Sequence, residues 1–432
     1  MATRKQVPPD PAREPSTEHR APIPADEPVG PAYVGLPPKG GRHRTALIPL
    51  LIMTFAAIIA AAGLSRAAPT TDPNASCVFN DARSLVPTDG VLFGVNIDWE
   101  QETLEQYRSN LGKHPAAAVQ FSDIPYDRNT WSYTVGSAGQ VKENGGVLIL
   151  TLEPHGGLDT LSDSVIQTLV TDLKALNDTG VPVVVRLAHE MNGTWYAWGQ
   201  QPTKYVDAYR RVAAAVHAGA PGSSMMWAPN YGGGYPFIGG QYAAAPGTAD
   251  FTLLDTDHDG RLTMNDDPYA PYYPGDDSVD WMGISLYHWG NKRPWGDNEI
   301  TEPTKFADML SGDYKGTAGD DGAVPNFYEV YGVKHAKPVA IVETAAIYTP
   351  SRPGASESAI KQAWWQQVFS EDFHRRFPQV KMINWFERKK YEIEIKDAVD
   401  WRAAGTPAMG QAFAAALPTW VRYADSVTTC AP

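Results

Sequence analysis

Cysteine is nearly absent. Cys77 and Cys430 are the only two in 432 residues, one at each end of the stretch that reads as folded. Two thiols exclude a disulfide-stapled scaffold and a cysteine metal cage, so stability must come from a hydrophobic core. Because domain ends often lie close together, the pair is expected to close one disulfide in an oxidising compartment. Positive charge is also scarce, with 49 Asp and Glu against 36 Lys and Arg and a net charge of −13. That balance argues against nucleic acid or an anionic surface as the partner and suits a neutral ligand better. No glycine-rich phosphate fingerprint follows the first strand-like run, which argues against a doubly wound nucleotide fold. No organic cofactor is expected.

Apolar and aromatic residues are plentiful, at 43% and 11%, with 13 Trp and 20 Tyr. Residues 1–44, rich in Pro, Gly and charge, lack apolar periodicity and are expected to form a disordered cytoplasmic tail. Thr45 to Leu64 (TALIPLLIMTFAAIIAAAGL) is uncharged and long enough to cross a bilayer. Arg42, His43 and Arg44 precede it and orient the tail inward. A single-pass type II membrane anchor is expected; a secretory signal cut near Ala67 and Ala68 is the alternative. Residues 65–77 would then be a linker, and residues 78–432 an extracellular or secreted domain, expected to be a monomer. Asn74-Ala-Ser and Asn177-Asp-Thr are candidate glycosylation acceptors.

From about residue 78, short apolar runs alternate with longer helical stretches. The runs are FGVNID (93–98), AAAVQF (116–121), GVLILTLEP (146–154), PVVVRLAHE (182–190), SMMWAPN (224–230), DWMGISLY (280–287), PVAIVET (338–344) and KMINWFE (381–387). Eight such units predict an α/β fold, a (β/α)8 TIM barrel. Polar residues gather at the C-terminal ends of the runs: Asp98, Glu153, Glu190, Asn230, Tyr287, Glu343 and Trp385. In a barrel those ends form one mouth, where active sites occur. Unpaired carboxylates inside apolar strands would instead cost several kcal/mol each.

Glu190 and Glu343 end the fourth and seventh runs, so folding would set them across the mouth from each other. Glycoside hydrolysis requires such a pair, one proton donor and one nucleophile or base, at about 5–5.5 Å when configuration is retained. Two structural glutamates in salt bridges are the bland alternative. His189-Glu190 also suggests zinc, but HEMN lacks the second histidine of a helical HExxH site, and zinc is not expected. Trp195, Tyr196 and Trp198 follow Glu190, while Trp289 and Trp295 follow Tyr287. Rings on several loops around one acid pair suit the flat C–H faces of sugars in an elongated groove.

RLAHEMNGTWYAWG (186–199) resembles the acid/base segment of glycoside hydrolase family 26, whose retaining enzymes include β-mannanases. YYPGDDSVDWMGISLYHWG (272–290), KPVAIVETA (337–345) and INWFE with the later DWR (400–402) resemble further segments of that family in order, over about residues 90–405. The resemblance implies Glu190 as acid/base and Glu343 as nucleophile. It implies His189 beside the cleavage point, Arg186 and Tyr287 supporting the nucleophile, and Trp385 as the floor under the reacting sugar. A plain barrel-interior ion pair is the alternative for Arg186. Trp195, Asn230, Glu153 and His155 are further candidate substrate contacts. The expected substrate is a neutral β-1,4-mannan-type polysaccharide, cut internally. Mixed-linkage β-glucan and β-1,3-xylan are alternatives on the same fold. A non-catalytic cell-wall polysaccharide-binding protein is the rival from another class.

A second motif lies in DTDHDGRLTMND (255–266), which follows the spacing of an EF-hand calcium loop. Asp255, Asp257, Asp259, the Arg261 carbonyl and Asp266 would supply oxygens to a structural Ca2+. A solvated acidic loop is the alternative, and no flanking helix pair is evident.

Overall fold

Alternation along each strand decides which side chains meet in this molecule. The computed structural model describes residues 77–292, 295–316 and 321–427. Eight strands, β1 (Val91–Ile97), β2 (Ala117–Asp123), β3 (Val147–Glu153), β4 (Val183–Leu187), β5 (Ser223–Trp227), β6 (Trp281–Ser285), β7 (Val339–Thr344) and β8 (Val380–Glu387), pair in parallel in sequence order. β1 also pairs with β8, from Leu92↔Met382 to Ile97↔Glu387, which closes the barrel. The helices are α1 (Leu104–Leu111), α2 (Arg128–Asn144), α3 (Asp163–Asp178), α4 (Pro202–Gly219), α5 (Ala249–Leu254), α6 (Lys305–Ser311), α7 (Glu357–Val368), α8 (Glu371–Arg376) and α9 (Pro407–Ala416). They lie between and after the strands, as the βα pattern predicts.

Local signals mark where the helices begin. Thr103 and Gln106 form a capping box on α1, and Ser162 and Ser356 cap α3 and α7 by accepting from Val165 and Ala359 amides. The strands are buried on both faces over most of their length, as parallel strands covered by helices must be, and β4 and β7 (VVVRL, VAIVET) are rich in β-branched residues. One set of positions, including Leu92, Val119, Ile149, Val184, Met226 and Met382, fills the barrel interior. The alternate set, including Phe93, Val95, Leu150, Val185, Ile341 and Ile383, packs against the helices. Arg186 follows Val184 by two residues and therefore points inward; Trp385 follows Ile383 by two and points outward.

The fourth, fifth and sixth strands end sooner than their apolar runs. Ala188 and Glu190 adopt left-handed φ values of 45° and 53°, which the extended ladder cannot accommodate. Glu190, Asn230 and Tyr287 thus stand on the first loop residues beyond their strands. After β8 the chain forms an antiparallel hairpin of β9 (Lys389–Glu392) and β10 (Asp397–Asp400), returning Trp401 to the mouth. Asn177 is only 2% exposed and its amide donates to the Val181 carbonyl, so its sequon is no acceptor in the folded domain. Among the described residues no helix is long and apolar enough to cross a membrane. The tail, the Thr45–Leu64 segment, Asn74 and Cys430 lie outside the described residues.

Gly94 in β1 marks the tightest inward approach. A Cβ there would sit 1.7 Å from Asn384 Oδ1 and 3.0 Å from the Ala117 Cβ, and Asn384 is fully buried on the neighbouring strand. Gly94→Ala is expected to cost about 1–3 kcal/mol by overpacking, read as a lower denaturant midpoint at unchanged slope.

Candidate active site

Arg186 is the interior anchor of the site. It is 0% exposed, pairs through Nη1 with Glu343 Oε1, and donates from Nη2 to Ser285 Oγ at 3.1 Å. A buried guanidinium without its carboxylate would be destabilising by about 3–5 kcal/mol, so this pair fixes where the β7 end sits. The second Glu343 oxygen accepts from the Tyr287 hydroxyl at 2.6 Å. Burial, followed by the Glu343 charge, pushes the Tyr287 phenol far above its ordinary value, which keeps it a donor. Glu343 is 6% exposed, so little of it remains open except toward the mouth.

Glu190 reaches the same point from the opposite wall. Its turn is pinned from several directions: Glu190 N–H donates to the Ala228 carbonyl at 2.9 Å and Trp198 Nε1 to the His189 carbonyl at 2.7 Å. The Asn192 side chain donates to the Asn230 carbonyl and accepts from the Asn230 amide, both at 2.8 Å, tying the turn to the segment just beyond β5. The Trp195 indole donates to Glu190 Oε2 at 3.2 Å. Burial, and then the charge of Glu343, raises the Glu190 pKa to about 7. The Arg186 charge and the bonds from Ser285 and Trp195 oppose that rise without cancelling it. The two acids therefore sense each other directly, and Glu190 is the one that retains its proton.

The remaining candidates fall into different places. His189 is buried, its Nε2 3.2 Å from the Tyr196 hydroxyl, and burial followed by the Arg186 charge holds its pKa well below the ordinary value. It is a neutral imidazole beside the acid. Of the three rings after Glu190, Trp195 is 37% exposed whereas Trp198 is fully buried and stacked on Tyr196 at 4.4 Å. Only the first offers an open face. Glu153 and His155 approach each other at 3.6 Å, and His155 lies equally far from Asp123. The hydrogen bond to Glu153 raises the His155 pKa, with burial opposing it. Asn230 spends its side-chain amide on the Tyr231 carbonyl at 3.2 Å, so it shapes the loop.

Trp385 requires correction. It is fully buried, 5.0 Å from the Phe413 ring of α9, with its indole bonded to the Trp401 carbonyl at 3.1 Å. An outward-facing strand position cannot form a floor inside the mouth. The rings that do meet Tyr287 are Phe386 at 5.7 Å and Trp401 at 5.2 Å, with Trp289 4.8 Å from Trp401. Counting by twos from the inward-facing Met382 selects Phe386, which the sequence reading passed over; Trp401 depends on the hairpin, for which the sequence carried no clear turn signal. Ser285, the hydroxyl between Arg186 and Glu190, was also missed.

In the acidic loop, oxygens of Asp255, Asp257 and Asp259 lie within 4.8 Å of one another. Asp255 accepts from the Gly260 amide at 2.9 Å and Asp259 from the Arg261 amide at 2.8 Å, which curls the loop around the three carboxylates. Asp266 stands outside that cluster. It is 1% exposed and accepts from the Thr256 and Thr263 amides at 2.6 and 2.8 Å, lacing the two ends of the loop together. The Arg261 guanidinium lies 3.3 Å from Asp259.

Comparison with known proteins gives a partial family match and a fold. Residues 129–219 match the model of glycosyl hydrolase family 26, a span that holds Arg186, His189 and Glu190. Endoglucanase H of Acetivibrio thermocellus is 23% identical over 319 residues, 71% of this chain but 28% of that protein. The chain thus spans well under a third of that relative's length. A solved modular endo-beta-1,4-mannanase from Cellulomonas fimi aligns over 82% of this chain and 77% of its own, with a TM-score of 0.51 and 17% identity. A double mutant of a Cellulomonas fimi endo-beta-1,4-mannanase aligns over 82% and 78%, with a TM-score of 0.50 and 17% identity. At that identity the two structures establish the barrel alone.

The Glu190 shift carries a stability consequence. An unfolded glutamate titrates near about 4.3, whereas the folded group titrates near about 7. Its contribution is fully present below the unfolded value and is lost as pH rises through the folded one. Glu190→Gln should melt with the wild type near pH ~4 and increasingly above it toward pH ~7. Thermal melts across that range check this, and a gap widest in acid would reverse the assignment.

Proposed function

We propose that this chain, which matches the glycosyl hydrolase family 26 model over residues 129–219, is an endo-acting β-glycosidase of that family that works by double displacement with retention. The carrying observation is the electrostatic coupling of a protonated Glu190 to a Glu343 held between Arg186 and Tyr287. Glu343 attacks the anomeric carbon while Glu190 passes its proton to the departing glycosidic oxygen. The nucleophile becomes an ester and its negative charge disappears. One of the two causes that raise Glu190 is then gone, so its pKa falls and it can take a proton from the incoming water. Water attack releases the sugar with its original configuration and restores both carboxyl groups. Trp195, bonded to the acid, offers the leaving-group side an apolar face.

A β-1,4-mannan-type backbone is the first substrate of this proposal. A β-glucan is the second, favoured by the name of the curated relative, Endoglucanase H. On this reading the domain faces outward, attached through Thr45–Leu64 or released from it. The Asp255, Asp257 and Asp259 carboxylates are proposed to take a structural Ca2+ outside the chemistry. Calcium would balance their mutual repulsion and supply ligand-linked stability, about 2.7 kcal/mol at a hundredfold excess over Kd.

Proton NMR of the first product from glucomannan and mixed-linkage glucan should give the β-anomer. Glu343→Gln should lower kcat by about 10³-fold or more while leaving glycan binding in place. Release of the α-anomer would exclude retention. Calcium added after chelation should raise Tm by several degrees in the wild type and not in Asp257→Asn/Asp259→Asn, with kcat little changed. An equal shift in both proteins would remove the ion from this loop.

A further inference from the structure

Among the described residues, Arg388 is a cation without an acid. It follows β8 directly and is half-buried, and its Nε is enclosed by protein with no acceptor to meet it. The guanidinium lies 5.2 Å from the Phe121 ring centre and 5.9 Å from that of Phe386. Neighbouring carboxylates are engaged elsewhere. Glu387 accepts from the Ala403 and Ala404 amides at 2.8 and 3.0 Å. Glu392 takes Lys390 at 3.1 Å and the Trp401 indole at 2.6 Å, and Asp400 takes Arg402 at 2.6 Å. Asp123 and Glu153 face His155.

Those rings connect Arg388 to the cleft. Phe121 meets His189 at 5.6 Å, and Phe386 meets Tyr287, the partner of Glu343, at 5.7 Å. Lys390 places a second positive charge 5.6 Å from the Phe386 ring. Arg388 therefore stands on the flank built by β2 and β8, across the barrel from Trp195 on the β4 side. A guanidinium held on aromatic faces, partly stripped of water, matches a carboxylate through two parallel hydrogen bonds. Sugar hydroxyls would leave its charge uncompensated.

We propose that Arg388 receives a carboxylate carried by a sugar of the substrate, so that an acidic β-glycan is bound in preference to its neutral counterpart. The net charge of −13 does not oppose this, because long-range repulsion is screened beyond about 10 Å whereas the contact is local. The inference rests on the glycosidase reading for its substrate class.

The test uses mannohexaose and cellohexaose and their forms oxidised to carboxylates at C6, with binding measured by calorimetry on Glu190→Gln. Adding Arg388→Gln should weaken binding of a carboxylated hexasaccharide at least tenfold more than that of the neutral one, and salt should erode the difference. Arg388→Lys, which keeps the charge without the fork, should fall between. In the active enzyme, the carboxylated-to-neutral ratio of kcat/KM on the corresponding polymers should drop by a similar factor in Arg388→Gln. Equal weakening of both ligands overturns the proposal. Hydrolysis without charge-dependent loss sinks this inference and leaves the glycosidase reading intact. Arg388-dependent binding without turnover of any glycan does the reverse, and failure of both measurements overturns both.

Discussion

A guanidinium with no access to water, Arg186, can persist in the barrel only because Glu343 meets it there. That requirement places the end of β7 relative to β4, and the Ser285 hydroxyl on the same guanidinium brings in β6 between them. Three strand ends are thereby fixed by one buried charge. The negative charge so installed then acts on its neighbour: it is one of the two causes that keep Glu190 protonated. Fold stability and the raised pKa of Glu190 therefore share a physical origin. Replacing the pair with apolar residues of similar volume can leave the fold as stable as before, but it removes Glu343 and with it the charge that helps keep Glu190 protonated.

The eight strands could be read from sequence because parallel strands covered on both faces must be apolar almost throughout, and short β-branched runs such as VVVRL or VLILTL suit hardly any different element. Glu190 and Glu343 were equally readable, since a carboxyl at the end of such a run has to be either paired or used. What failed to register depended on direction. Trp385 and Phe386 are adjacent, and the pleat sends one to α9 and the other to the cleft. Composition favoured the tryptophan, but the barrel interior begins from Leu92 and Met382, and counting from Met382 selects Asn384 and Phe386.

Other features escaped because they exist only across long sequence separations. Trp401 reaches Tyr287 after a hairpin whose register pairs Lys389 with Asp400. Asp266 fits the twelfth position of a calcium loop by spacing, yet it laces the Thr256 and Thr263 amides and lies outside the cluster of Asp255, Asp257 and Asp259. Spacing describes which oxygens can reach a point; it does not describe which donors compete for them. The same competition explains His155, which faces two carboxylates, and Arg388, which among the described residues faces none.

The reciprocal Asn192–Asn230 contact joins the turn that carries Glu190 to the loop leaving β5. That loop brings Phe237 to 5.1 Å from Trp195, so it helps shape the cleft beside Glu190. Exchanging it wholesale for a homologous segment would be a natural route to altered product lengths. Both bonds run between the Asn192 side chain and the backbone of residue 230, so a graft from residue 230 onward keeps the clasp with any residue but proline at its first position. Asn192 is the residue that must stay, so the useful boundary for transplanting specificity is set by the turn after β4 and not by the side chain at 230.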